Sequence, residues 1–166
     1  MNKISFKPLE ENDLNEMLEI YTYYIKNTTA TFHVDAISIE QMKKILNYNH
    51  SFYKTFVILI EDDICGYVLF TQHKKREAYN TTAEVTIYLK PDFAGKKIGG
   101  EALSFIEIEA KKAGIHALVA TITNENIASL KLFERNGYFK CAEYKEIGKK
   151  FGRYLGVIAY EKILEQ

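Results

Sequence analysis

The sequence has no tryptophan, two prolines, two cysteines and nine glycines in 166 residues. So few prolines and glycines leave no room for a long linker, and the length suits one domain over 1–166. Two cysteines cannot build a disulfide framework. Cys65 and Cys141 both stand in apolar, strand-like surroundings, where a small buried hydrophobe is expected. Neither they nor the four scattered histidines have metal-ligand spacing, so no metal is expected. No apolar run nears the ~18–20 residues of a membrane span, so no membrane partner is expected. The longest such run is Phe56-Val57-Ile58-Leu59-Ile60. Lys7, Glu10 and Glu11 interrupt the start before any apolar stretch forms, so an export signal is not expected and a cytoplasmic protein is. Net charge is missing too. Lys+Arg is 22 and Asp+Glu is 22, and this zero speaks against a nucleic-acid partner.

What is present is a globular balance, 47% apolar and 27% charged, which excludes global disorder. Ile4 to Lys7 alternates as a short strand. Asn12 or Asp13 is placed to cap a helix whose apolar face is Leu14, Met17, Leu18, Tyr21, Tyr24 and Ile25. Ser38-Ile39-Glu40-Gln41 has the capping-box pattern and opens a short second helix. A hairpin follows, Phe56 to Ile60 and Ile64 to Thr71, turning at Glu61-Asp62-Asp63. Ala83 to Leu89 predicts a strand ended by Pro91. A helix follows Gly95-Lys96-Lys97-Ile98-Gly99-Gly100. Ala117 to Ile122 predicts a doubly buried strand, and Asn126 to Arg135 a helix closed by Asn136-Gly137. Two strands, about Tyr138–Tyr144 and Arg153–Glu161, finish the chain. This order predicts an α+β domain in three α/β/α layers on a mixed, mostly antiparallel sheet, with one parallel crossover around the glycine loop.

Three segments carry chemistry. The loop Gly95 to Gly100 lies between a strand and a helix, where free backbone N–H groups and the positive helix end suit a phosphate, and Lys96 and Lys97 add charge. The Walker and dinucleotide spacings are both absent, and by itself the loop is equally an ordinary helix start. Glu84 sits on the strand feeding it, as a general base or as a solvated edge acid. Asn126 and Ser129 open the next helix, as caps that also offer polar groups to a ligand.

The run Pro91-Asp92-Phe93-Ala94-Gly95-Lys96-Lys97-Ile98-Gly99 is followed by Asn126-x-x-Ser129-x-x-Leu132-Phe133-x-x-x-Gly137-Tyr138. Together they resemble the acyl-CoA signature of the GNAT N-acetyltransferase superfamily. Thr29 to Phe32, Arg76-x-x-Tyr79-x-x-Thr82 to Tyr88, Val119 to Asn126, and Gly148-x-Lys150 to Tyr154 narrow the resemblance to the phosphinothricin N-acetyltransferase-like group. The resemblance implies a sheet whose central strands splay, with acetyl-CoA as cosubstrate. It implies that the backbone of Ile87, Tyr88 and Leu89 bonds the pantetheine arm, that Gly95, Lys96, Lys97, Ile98, Gly99 and Gly100 cradle the pyrophosphate, and that Asn126 and Ser129 hold the other side. It implies Glu84 as base, a pocket for a small amine built from Phe32, Arg76, Tyr79 and Tyr154, and a homodimer.

The chain departs from the group's pattern at Ala94 and Lys97 in the loop, at Phe133 where many members carry a proton donor, and at Tyr154 and Gly156. Three readings follow. The first is acetylation of a small amino-acid-like amine. The second is acetylation of a peptide or protein N-terminus, and the third a CoA-binding regulatory module with little catalysis. Eight of the 22 basic residues fall in three segments that the resemblance assigns to cofactor or substrate: Lys74-Lys75-Arg76, Lys96-Lys97, and Lys149-Lys150 with Arg153.

Overall fold

A computed structural model describes residues 3–165. Among the described residues eleven strands and α-helices follow the predicted order. They are β1 (Ile4–Pro8), α1 (Leu14–Asn27), α2 (Ile39–Ile45), β2 (Lys54–Ile60), β3 (Asp63–Gln72), β4 (Thr82–Leu89), α3 (Ile98–Lys112), β5 (Ala117–Thr123), α4 (Ile127–Arg135), β6 (Phe139–Lys150) and β7 (Arg153–Ile163). The strands form one sheet in the order β1-β2-β3-β4-β5-β7-β6. Only β4 and β5 run parallel, joined by the α3 crossover, and the other pairs are antiparallel.

Each sheet face has its own core. Leu14, Met17, Tyr21 and Ile25 of α1 and Met42 of α2 bury against Val57, Tyr67 and Leu69. On the other face Ile98, Leu103 and Ile106 of α3 and Leu130 and Phe133 of α4 pack on Ile58, Val68, Val85, Leu118 and Ile122. Strand alternation fixes these sides. Ala83 and Val85 face α3, whereas Tyr88, of opposite parity, packs with α1. Glu84 shares Tyr88's parity and therefore its face.

Local signals explain the boundaries. Ser38 Oγ accepts from Gln41 N, and Gln41 Oε1 accepts from Ser38 N, the reciprocal cap predicted for α2. The β2–β3 turn uses Glu61 and Asp62 at φ 50° and 74°, the handedness that matches strand twist. At α1 the expectation is corrected. Asp13 does not cap the helix. It closes a 3₁₀ turn over Glu11–Asp13, accepting from Glu10 N and pairing with Lys7.

The last hairpin is longer than its polarity pattern suggests, because β6 is an edge strand with hardly a buried side chain to mark it. Its register breaks between Lys140 and Ala142 and again between Tyr144 and Gly148. The first break corrects the reading of Cys141, which a bulge turns outward and leaves exposed. Cys65 is buried as expected, and burial pushes its thiol up to about 11.

Candidate active site

β4 and β5 pair only at Thr82–Ala117, Ala83–Leu118 and Glu84–Val119. Beyond that point β4 stays with β3 as far as Leu89, and β5 stays with β7 as far as Thr123. The two central strands therefore diverge, and a slot opens toward the start of α3. Backbone groups on its β4 side lack strand partners. Lys90 N donates to Cys65 O, so in this register the odd-numbered β3 residues exchange bonds with the even-numbered residues of β4. The backbone of Ile87 and Leu89 thus faces the slot. That of Tyr88 faces β3, which corrects the expectation that all three would meet a ligand. Tyr88 instead sends its side chain into the tyrosine cluster with Tyr21, Tyr24 and Tyr67, where its hydroxyl donates to Ala30 O. Tyr24, expected only as part of the apolar face of α1, donates its hydroxyl to Leu89 O at 2.5 Å, on the slot side.

At the mouth of the slot, Pro91–Phe93 forms a 3₁₀ turn and Gly95 adopts φ 78°. Lys97 precedes α3 in the left-handed region at φ 65°, and no side chain caps the helix. The first amides of α3 therefore have no side-chain acceptor, and of them Gly100 N donates to Lys97 O. Lys96 and Lys97 are exposed, with Lys96 Nζ 5.0 Å from the Phe93 ring centroid. Gly99 is buried for a second reason besides its amide. A Cβ there would stand 2.8 Å from Leu132 Cδ2, so the missing side chain lets α4 approach α3. Gly100 has no such crowding, with Asn136 at 3.7 Å.

On the opposite bank Asn126 caps α4. Its Oδ1 accepts from Ser129 N at 3.2 Å, which leaves its amide N–H groups to donate elsewhere. It lines a cleft of about 380 Å³ together with Tyr24, Thr29, Ala30, Glu125 and Arg153. Phe133 is buried edge-on to Tyr138, with ring centroids 4.9 Å apart.

Glu84 lies at the vertex of the divergence with its side chain 33% exposed, and His73 Nδ1 is 3.0 Å from its Oε1. Tyr79 stands edge-on to His73 at 5.8 Å. Arg76 opens the 3₁₀ turn that carries Tyr79, and its exposed guanidinium makes no ion pair among the described residues. Phe32 and Tyr154 meet the molecule elsewhere, at the β6–β7 hairpin. Phe32 lies over Gly148, and Tyr154 is exposed with Lys149 Nζ 5.3 Å from its ring centroid. No hydrogen bond, ion pair or ring contact among the described residues joins Phe32 and Tyr154 to Arg76 and Tyr79.

One cationic segment is corrected. Lys150 is buried with Nζ donating to Thr31 O, and desolvation holds its pKa down. Arg153 forks onto Glu125 at 2.6 and 2.7 Å, and Thr29 donates to the same carboxylate. Both cations already have partners within the fold. Together they tie the 29–31 segment to the last hairpin. A larger hollow of about 580 Å³, lined by residues including Ser104, Glu107, Lys111 and Lys162, lies between α3 and the end of β7. It contains none of Glu84, the glycine loop or Asn126, so the slot is the candidate site.

The Acetyltransferase (GNAT) domain model matches residues 6–158. The phosphinothricin N-acetyltransferase of Streptomyces coelicolor is 28% identical over 98% of this chain and 97% of its own length. The L-methionine sulfoximine/L-methionine sulfone acetyltransferase of Salmonella typhimurium is 25% identical over 95% of this chain and 92% of its own. The structure of a GNAT superfamily phosphinothricin acetyltransferase from Sinorhizobium meliloti, solved in complex with AcCoA, matches with a TM-score of 0.91 at 26% identity. That match covers 97% of this chain and 88% of that one.

Proposed function

The chain belongs to the GNAT acetyltransferases, and from that premise we propose that it moves an acetyl group from acetyl-CoA to the amine of a small amino-acid-like molecule of the phosphinothricin, methionine sulfoximine or methionine sulfone type. The observation that carries the reading is the parting of β4 from β5 at Glu84, which sets a carboxylate at the closed end of a slot whose β4 backbone has no strand partner along one side. The full-length matches to proteins bearing those activities support the substrate class.

Acetyl-CoA would supply an activated thioester. The residues present fit its polar parts. The slot-facing backbone of Ile87 and Leu89 suits pantetheine amides, and the Asn126 amide suits the opposite side. The uncapped start of α3, from Lys97 to Gly99, suits a pyrophosphate, with Lys96 and Lys97 adding charge. Glu84 takes a proton from the substrate ammonium, directly or through one water, and leaves the amine lone pair free. A backbone N–H on the slot side of β4 stabilises the negative charge that develops on the carbonyl oxygen. Phe133 is buried and has no proton to give, so that position contributes no general acid. Arg76, exposed and without an ion pair among the described residues, draws the anionic group of the substrate.

The same reading makes the protein a cytoplasmic homodimer. Its two cysteines are free thiols, consistent with a reducing compartment. Its long edge strand β6 and the hairpin tip expose Tyr144, Ile147, Phe151 and Tyr154, an apolar surface suited to a second copy.

A thiol-release assay with acetyl-CoA tests the proposal against phosphinothricin, methionine sulfoximine, methionine sulfone, ordinary amino acids and an N-terminal peptide. Turnover confined to the small amines is expected. Turnover of the peptide alone overturns the substrate class, and tight CoA binding without turnover of any amine overturns the catalytic reading.

A further inference from the structure

From the contact between His73 and Glu84 we infer that His73 is a positioning residue for the base. The inference rests on Glu84 being that base. An ionised carboxylate only accepts hydrogen bonds, so at 3.0 Å the hydrogen must sit on Nδ1 of His73 and point at Oε1 of Glu84. One carboxylate oxygen is then committed, and Oε2 is the one left for the substrate proton.

The backbone of Glu84 is already held. It pairs with Thr71 on β3 and with Val119 on β5, at the vertex where the strands part. No other hydrogen bond or ion pair among the described residues holds its side chain, and the carboxylate is one-third exposed. A base whose head swings freely spends part of its time turned from the slot. His73 removes that freedom because it is itself fixed. Its backbone follows directly from Gln72, the last residue of β3. By strand parity its side chain falls on the same face as Thr71 and Glu84. Its ring is 18% exposed and meets the Tyr79 ring nearly perpendicularly, and Lys74 Nζ lies 5.0 Å from the centroid of Tyr79. The result is a row, Lys74 to Tyr79 to His73 to Glu84, that ends on the carboxylate. In this row Tyr79 buttresses the histidine.

The test separates a donated hydrogen bond from mere bulk. His73→Phe fills the space without a donor. His73→Asn keeps a donor near the position of Nδ1. His73→Leu is a second donor-free variant should the larger ring disturb the fold. Each is assayed with acetyl-CoA and the best amine of the panel above, beside Glu84→Gln, with the thermal midpoint and CoA affinity measured in parallel. The donor-free variants are expected to lose about tenfold in kcat while KM for acetyl-CoA and the midpoint hold, and His73→Asn to recover to within about threefold of the parent. Combining His73→Phe with Glu84→Gln is expected to cost no more than Glu84→Gln alone. If Glu84→Gln is inactive while the donor-free variants keep parental kcat, or while Asn is as slow as Phe, positioning is overturned and the base survives. If Glu84→Gln keeps parental kcat, both fall together.

Discussion

Glu84 pairs with Val119 at the last position where the two central strands touch, so one residue both closes the sheet and faces the opening. Replacing it with Gln keeps the shape and the strand pairing but leaves no proton acceptor of useful basicity. The expected loss in kcat is about 10²- to 10⁴-fold, the range for a positioned general base. Acetyl-CoA affinity measured by calorimetry should stay at the parental value, because the carboxylate lies at the vertex and the cradle at the other end. Parental turnover in the Gln variant would take Glu84 out of the reaction.

Lys97 holds φ 65° at the start of α3, where a side chain costs about 1 kcal/mol and glycine costs nothing for the turn itself. Lys97→Gly and Lys97→Ala remove the same charge but differ in this cost. The Gly variant should be the more stable of the two by about 1 kcal/mol in urea melts. Both should bind CoA more weakly than the parent, to the same degree and with a shallower salt dependence, because both lose one ammonium beside the phosphates. Equal stability would mean that the backbone there relaxes without strain.

These two positions show what the sequence could and could not reveal. Lys97 was legible as a departure inside a glycine loop, and the side-chain cap of Asn126 on Ser129 N was legible from residue type and place. The order of elements followed from hydrophobic periodicity, since nearly every element buries one clear face. Contacts set by strand register were not legible. His73 meets Glu84 because Thr71 pairs with Glu84 across a hairpin whose connection includes a 3₁₀ turn, and nothing local to His73 announces it. The β6 register breaks hid Cys141 in the same way, as an edge strand with two wet sides has no alternation to read. The free cations expected at Lys150 and Arg153 failed for another reason. Their partners, Thr31 and Glu125, come from distant parts of the chain.

Phe32 rests on Gly148 so closely that a Cβ there would lie 2.5 Å from the ring. The ring is 40% exposed and free to swing, so Gly148→Ala should cost less than about 1 kcal/mol. If Phe32 is a wall of the amine pocket, the displaced ring should raise KM for the amine several-fold while KM for acetyl-CoA holds. A variant with parental constants for both substrates would remove Phe32 from the pocket.

The Glu125 fork links the 29–31 segment, the start of α4 and the last hairpin. Arg153 first, and Thr29 second, hold its carboxyl down at about 2, against an ordinary value of 4.5. A depressed carboxyl stabilises the fold fully above 4.5, and that contribution disappears as pH falls toward 2. The pair is more than one-third exposed on both sides, so screening by water and salt keeps its contribution small. The stability difference between the parent and Glu125→Gln should therefore be small and salt-sensitive near neutral pH and should shrink through that acid window. A difference that grows on acidification would contradict the assignment.

The exposed side chains of the last hairpin bear on assembly. Tyr144 is 50% exposed and Ile147 57%, both on an edge strand whose outer backbone groups no other strand covers. A second copy seated there would bury both, so the parent should elute at twice the chain mass in light scattering. Tyr144→Lys with Ile147→Lys should elute at the single-chain mass, since two ammonium groups resist removal from water. The fold itself should be unaffected, because neither side chain belongs to either core. Tyr154 and Phe151 sit at the tip of the same hairpin, so dissociation should also raise KM for the amine. A parent that is a monomer at assay concentration would refute the dimer, and a double variant that remains a dimer would move the interface elsewhere.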